Sequence, residues 1–280
     1  MKGLGTAFKE VFGEALKKYG YIKVKGKYPY YIHVVDNEIV HVITFSTRPK
    51  ERDGYKEYDV YGGVATVYRH CINFNIPVTQ NFNWIYANSE FYCKNHPYQN
   101  NTEIRKKWRT FSYRENDENS LMESLRYALE VTEEVMLPIL EAADTMEHCY
   151  DYYEKYDLSA LSLTDTERWG IKYTSNEYKE GLLSLLLFDV EQYTERKKLQ
   201  VIRWDEKRLK QMELGIIRYG REFYEKDKKK TMEFTIKQIE LFKKFRGNSE
   251  TFEEVLVESE RRKAYNIEML RSYGVDMGRK

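Results

Sequence analysis

The stretch Tyr30–Phe45, YYIHVVDNEIVHVITF, decides the fold. Two runs of β-branched and aromatic residues flank a polar tip, Asp36-Asn37-Glu38. Runs of this composition form strands, and a short polar tip between them forms a hairpin loop. Asn37 suits the left-handed backbone that a three-residue loop needs near its end. Each strand carries one histidine, His33 and His41. A three-residue loop sets Val35 opposite Ile39, His33 opposite His41 and Tyr31 opposite Ile43. Facing Cβ atoms then lie about 5 Å apart, within reach for two imidazoles to share a ligand. A two-residue loop at Asp36-Asn37 sets His33 opposite Val40 instead and sends the histidines to opposite faces. A catalytic zinc takes three protein ligands. Two histidines alone are therefore read first as residues of a half-buried sheet face, and second as a candidate site.

Outward from the hairpin, Phe8, Val11, Phe12, Ala15 and Leu16 recur at helical spacing, predicting a helix over residues 5–18 that stops at Gly20. The first strand is expected to begin near Tyr21, and the return strand runs through IVHVITFS. A polar loop, RPKERDGYKE, follows, then a third strand, YDVYGGVATVY. Gly62-Gly63 within it signals a bulge or a close backbone approach. Residues 70–107 form a long Asn-rich and aromatic excursion, with an extended piece at Trp84–Tyr86; WRTFSYR is a fourth strand candidate. Long irregular excursions are often functional.

From Asn119 the periodicity turns helical, through Leu121, Leu125, Leu129 and Val135, and Pro138 must break or kink the helix. Another helix is expected over Met146–Tyr156, followed by a linker, DLSALSLTDTERWG, and a capping box at Thr174 and Glu177. A helical seam is read through Leu209, Met212, Ile216, Tyr219 and Phe223, and a stripe through Met232, Ile236, Ile239 and Phe242 that stops at Gly247. Thr251 and Glu254 would cap the last helix. The fold class is α+β: an N-terminal helix and a small antiparallel sheet, then an all-helical C-terminal region. Residues 1–160 are expected to form the α+β domain and 161–280 the helical one.

The chain has 280 residues and a formal net charge of +1. That balance argues against a dedicated nucleic-acid binder, but it conceals segregation. Residues 115–165 hold 14 acidic and 2 basic groups. Residues 1–30 hold seven Lys and two Glu, and residues 166–280 hold 26 basic and 21 acidic groups. An acidic middle either packs beside its basic flanks or serves a basic partner. Three cysteines without framework spacing point to a reducing, cytoplasmic setting. The N-terminus lacks the pattern of a signal peptide. The longest apolar run, LLSLLLF, is far short of the roughly 20 residues of a membrane span.

Three features of the N-terminal half, FKEVFGEALKKYGYIKVKGKYPYYI, then VVDNEIVHVITFSTRP, then YDVYGGV, resemble the bacterial family catalogued as domain of unknown function 4304. WRTFSYRENDENS and VMLPILEAADTMEHCYDYYEKY are similar to the later helical part of that family, with its kink at Leu137-Pro138. The resemblance covers about residues 5–160 and implies the α+β arrangement. It assigns no catalytic residue. Phe45-Ser46-Thr47 stands where the family has Phe-Gln-Lys, and the Asn-rich excursion is larger.

Three constellations could carry chemistry. The first is His33 with His41. The second is a thiol–imidazole set, His70-Cys71, Cys93 with His96, and His148-Cys149. Cys93 and His96 have ligand spacing but lack the second pair that tetrahedral zinc sites show. Buried free cysteine is ordinarily a small hydrophobe. The third is the excursion itself, where Trp84, Tyr86, Trp108 and the run Arg105-Lys106-Lys107 could stack bases or pack as a loop. No phosphate loop, dinucleotide fingerprint, HExxH or GxSxG is present. The sequence does not specify an activity. The expectation is a cytoplasmic binding protein with a protein partner, antidote-like in covering a basic face, or with a second copy of itself. No cofactor, nucleic acid or membrane is expected. The alternative is an enzyme with its site between the sheet and residues 70–110.

Overall fold

The computed structural model describes residues 3–26, 28–47, 54–68, 72–75, 83–87, 111–156, 183, 185–213 and 220–277. The chain divides into two compact units: Met1–Leu158 with Arg261–Lys280, and Ser159–Glu260. The first unit opens with α1 (Leu4–Lys17), closed by Gly20 at φ 77°. A six-stranded antiparallel sheet follows: β1 (Ile22–Lys23), β2 (Tyr31–Val35), β3 (Ile39–Thr47), β4 (Tyr55–Thr66), β5 (Asn83–Ala87) and β6 (Phe111–Arg114). Then come α2 (Glu118–Val131), a π turn (Thr132–Met136), α3 (Leu137–Glu141) and α4 (Met146–Tyr156). The fold class is thus α+β with an antiparallel sheet and a mainly helical second half.

β4 organises the sheet. One edge pairs along its length with β3, while the other takes β6 at Tyr55–Tyr58 and β5 at Val60–Val64. Tyr55, Lys56 and Glu57, read from sequence as loop, are therefore strand. Their pairing with Ser112–Arg114 outweighs their polarity. The first predicted strand is interrupted: only Ile22–Lys23 and Tyr31–Val35 pair.

The two sheet faces bury different partners. On one, Phe8 stacks on Phe12 at 4.0 Å and meets Phe45 at 4.4 Å and Tyr31 at 6.0 Å. Tyr58 lies against Phe111, and its hydroxyl hydrogen-bonds Ser124 of α2 at 2.9 Å. Burial of each such side chain contributes about 1.5–3 kcal/mol. On the other face, Ile32, Val40, Val42 and Ala65 pack with Leu270, Tyr273, Val275 and Met277 from the C-terminus. The Asn266 side chain accepts from the Ile72 amide and donates to the Val67 carbonyl, both at 2.8 Å.

Pro138 falls in the first turn of α3, directly after the π turn. Proline has no N–H and its ring crowds the carbonyl four residues back, so the helix widens for one turn before it. Thr132 Oγ1 bonds back to the Ala128 carbonyl at 2.7 Å where the widening starts.

The second unit contains α5 (Val190–Glu213), α6 (Arg221–Gly247) and the start of α7 (Ser249–Ser272). Tyr193 stacks on Phe242 at 4.0 Å, and Asp205 takes the Tyr224 hydroxyl and Lys228 at 2.6 Å, so α5 and α6 run antiparallel. The seam read through Leu209–Phe223 is not one helix, because Gly220 is extended and caps the start of α6. Likewise α7 starts at Ser249, two residues before Thr251. The linker and the Thr174/Glu177 box lie outside the described residues.

Gly62 shows the close approach without a bulge: its pairing with Ile43 and Ile85 is regular. A Cβ there would stand 2.5 Å from Met136 Sδ, 2.8 Å from its Cγ and 3.2 Å from Leu140 Cδ1. Both neighbours are fully buried. Gly62→Ala is expected to destabilise the protein by about 1–3 kcal/mol through overpacking, measured by urea unfolding; an unchanged midpoint would contradict this packing.

Candidate functional site

The hairpin loop resolves the register. Asp36 and Asn37 both adopt positive φ, 50° and 58°, and the Glu38 amide donates to the Val35 carbonyl at 3.0 Å. Two left-handed residues make a tight primed-type turn. Glu38 is then an extra residue, and Val35 pairs with Ile39. His33 consequently faces His41. Three contacts hold Glu38: the Val67 amide donates to its carbonyl at 2.8 Å, and Tyr68 Oη and Lys263 Nζ donate to Oε1 at 2.8 and 3.0 Å. Lys263 Nζ also reaches Tyr68 Oη at 3.0 Å.

The imidazoles meet edge to face, centroids 5.8 Å apart and planes at 79°. His41 is buried, and its Nε2 donates to the Ala143 carbonyl at 2.9 Å, between α3 and α4. A carbonyl only accepts, so Nε2 carries the proton and Nδ1 a lone pair. Nδ1 is buried without a partner, as is His33 Nδ1. Tyr21 packs 5.5 Å from His33, and the buried hydroxyls of Tyr21 and Tyr31 are also unpartnered. No side chain among the described residues partners these four atoms.

Burial dominates the electrostatics. Desolvation pushes His41 down to about 4, outweighing the Ala143 bond and the nearby Asp144 carboxylate; His33 adds a smaller lowering. Desolvation also lowers His33, against the attraction of Glu141. The Tyr21 phenol is raised by burial and by Glu141. Both rings are therefore neutral at neutral pH. Neither donates to nor accepts from a carboxylate, so the pair lacks the oriented base of a nucleophile–base dyad.

The remaining candidates separate. Trp84 pairs with Gly63 and Tyr86 with Tyr61, register positions on the sheet face opposite the histidines. His148 and Cys149 part company: His148 is exposed and pairs with Asp144 at 2.6 Å, whereas the Cys149 thiol is buried and donates to the Ala143 carbonyl at 3.7 Å. Burial raises Cys149 well above the thiol range, so it is not a ready thiolate. His70, Cys71, Cys93, His96, Trp108 and Arg105-Lys106-Lys107 lie outside the described residues. Among the described residues no three His, Cys, Asp or Glu are placed to hold a metal ion, and no helix is long and apolar enough to cross a membrane. Sequence reasoning missed Tyr21 and the Ala143 carbonyl, since 102 residues separate the latter from His41.

No family model, curated protein or solved structure matches the chain.

A histidine with a depressed native value favours folding while neutral. Its contribution is complete above about pH 6.5, where the unfolded ring is also neutral, and is lost as pH falls toward 4. The stability lost across that window is roughly 3 kcal/mol at about 1.4 kcal/mol per pH unit. Urea unfolding at stepped pH is expected to show this decline, with a flatter profile between pH 7 and 5 for His41→Leu whatever its absolute stability. Parallel profiles would contradict it.

Proposed function

We propose that the protein is a non-enzymatic binding protein whose acidic helical layer takes the basic surface of a protein partner. One observation carries this reading. Residues 115–156 hold twelve carboxylates against Arg126 and Lys155, and Glu123, Glu130, Glu134, Glu141, Asp144, Glu147 and Asp151 are all exposed. Glu123, Glu130 and Glu134 recur at i, i+7 and i+11 along α2 and the following π turn, so they share a helix face. Like charges held together on a folded surface repel, which favours a cationic occupant and speeds its arrival. An antidote-like role, masking the basic face of another protein, is one form of this reading. The enzyme alternative is less well supported, because the histidines are neutral without a carboxylate partner and the Cys149 thiol is buried.

Affinity capture with the full chain tests it. The wild type is expected to retain a basic protein at about 0.15 M salt and release it at about 0.5 M, as screening shortens. The triple variant Glu123→Lys, Glu130→Lys, Glu134→Lys is expected to retain none. Capture that survives both salt and charge reversal, or no capture by the wild type, overturns the proposal.

A second reading, self-association, rests on a separate observation. On α5, Leu199, Ile202 and Leu209 are exposed and recur at i, i+3 and i+10, so they share one helix face. Surface apolar clusters on helices commonly mark association faces. Light scattering is expected to give twice the 33.7 kDa chain mass under this reading, and the chain mass if it is wrong.

A further inference from the structure

The exposed lysines of α6 repeat the spacing of the α2 carboxylates in reverse. We infer that this basic face of α6 docks on the acidic α2 face of a second copy of the chain. The inference rests on the reading above, that the acidic layer takes a basic protein surface, and it names that surface.

Glu123, Arg126, Glu130 and Glu134 are exposed and stand at i, i+3, i+7 and i+11 along α2 and its π turn. Lys226, Lys230, Glu233 and Lys237 are exposed and stand at i, i+4, i+7 and i+11 along α6. Residues at these intervals share a helix face. Each set spans about 16 Å at about 1.5 Å per residue. Laid antiparallel, Glu123 meets Lys237, Glu130 meets Lys230 and Glu134 meets Lys226. The residue of opposite sign in each set falls into place as well, because Arg126 and Glu233 come within one residue of each other. At about 100° per residue both lie to the same rotational side of their stripes, and antiparallel packing brings like sides together. A parallel arrangement would set Glu130 three residues from Lys230. Charge pairs of this kind between helices choose partner and orientation.

The charge of the whole molecule favours encounter between copies. The formal net charge is +1, so copies do not repel at long range. Residues 115–156 nevertheless hold twelve carboxylates against two cations, and α6 holds nine basic against five acidic residues. Opposed patches on a nearly neutral molecule steer copies together. Within the α6 stripe, Glu233 stands 3.9 Å from Lys229, an exposed pair that contributes little. Each copy carries both faces, so the contact closes into a two-fold pair or continues from copy to copy.

Light scattering of the full chain at low salt is expected to give a mass above the 33.7 kDa of one chain. The mass is expected to fall to that of one chain at about 0.5 M salt, as screening shortens. The α2 variant Glu123→Lys, Glu130→Lys, Glu134→Lys and the α6 variant Lys226→Glu, Lys230→Glu, Lys237→Glu are each expected to stay at the chain mass at low salt. Mixed together, they are expected to regain the higher mass, since each supplies the face the other has lost. A mixture that stays at the chain mass overturns the proposal, as does association that persists in salt, the behaviour of an apolar contact. So does a wild type that stays at the chain mass at low salt, even where its α6 lysines hold an oligonucleotide or an anionic vesicle. Oligolysine separates the two readings. A wild type at the chain mass that binds oligolysine, and loses it in the α2 variant, overturns only the second copy as partner. A wild type that neither associates nor binds oligolysine overturns the acidic-layer reading as well.

Discussion

The first unit depends on one extra residue in a turn. Glu38 sits after two left-handed residues and shifts the return strand by one position. Side chains alternate across a strand, so that single step decides which face every residue of β3 presents. With Glu38 inserted, Ile43 and Phe45 join Tyr31 on the α1 side, and Val40 and Val42 join Ile32 on the side that packs with the C-terminus. Lys263 and Tyr68 clamp the Glu38 carboxylate. The shift is thus secured by contacts 30 and 225 residues away in the chain.

That register creates both a strength and a liability. It lets Phe8 of α1 pack against Tyr31 and Phe45, and it lets Met136 and Leu140 press on the bare backbone of Gly62. It also sets two imidazoles, His41 buried and His33 half-buried, on the sheet face that meets α1. The surroundings respond as low dielectric requires: the rings lose charge, and one polar contact, from Ala143, fixes the tautomer of His41.

Charge is managed differently on the outside. Carboxylates crowd α2–α4 with few local cations, and their local pairs, such as Asp144 with His148, are exposed and contribute little to stability. Surface charge arranged this way bears on which molecules approach, more than on folding.

Local pattern was enough for the elements themselves. The α1 periodicity, the Gly20 stop, the hairpin, the extended piece at Trp84–Tyr86 and the helix over Met146–Tyr156 all follow from spacing and turn chemistry acting over a few residues. Misreadings arose where pairing or local geometry overrode propensity: Tyr55–Glu57 became strand beside β6, and Gly220 separates two helices that a continuous apolar seam had joined. For the candidate site, His33 and His41 were legible as a pair, but two registers were open, because a turn sequence alone does not choose between two-residue and three-residue pairing. Tertiary contacts chose, through Val67, Tyr68 and Lys263 on Glu38. The places of Tyr21 and Ala143 beside the pair were settled only there as well. Periodicity records which side of an element is apolar; which distant group arrives to meet it depends on chain-wide packing, and no local spacing encodes that.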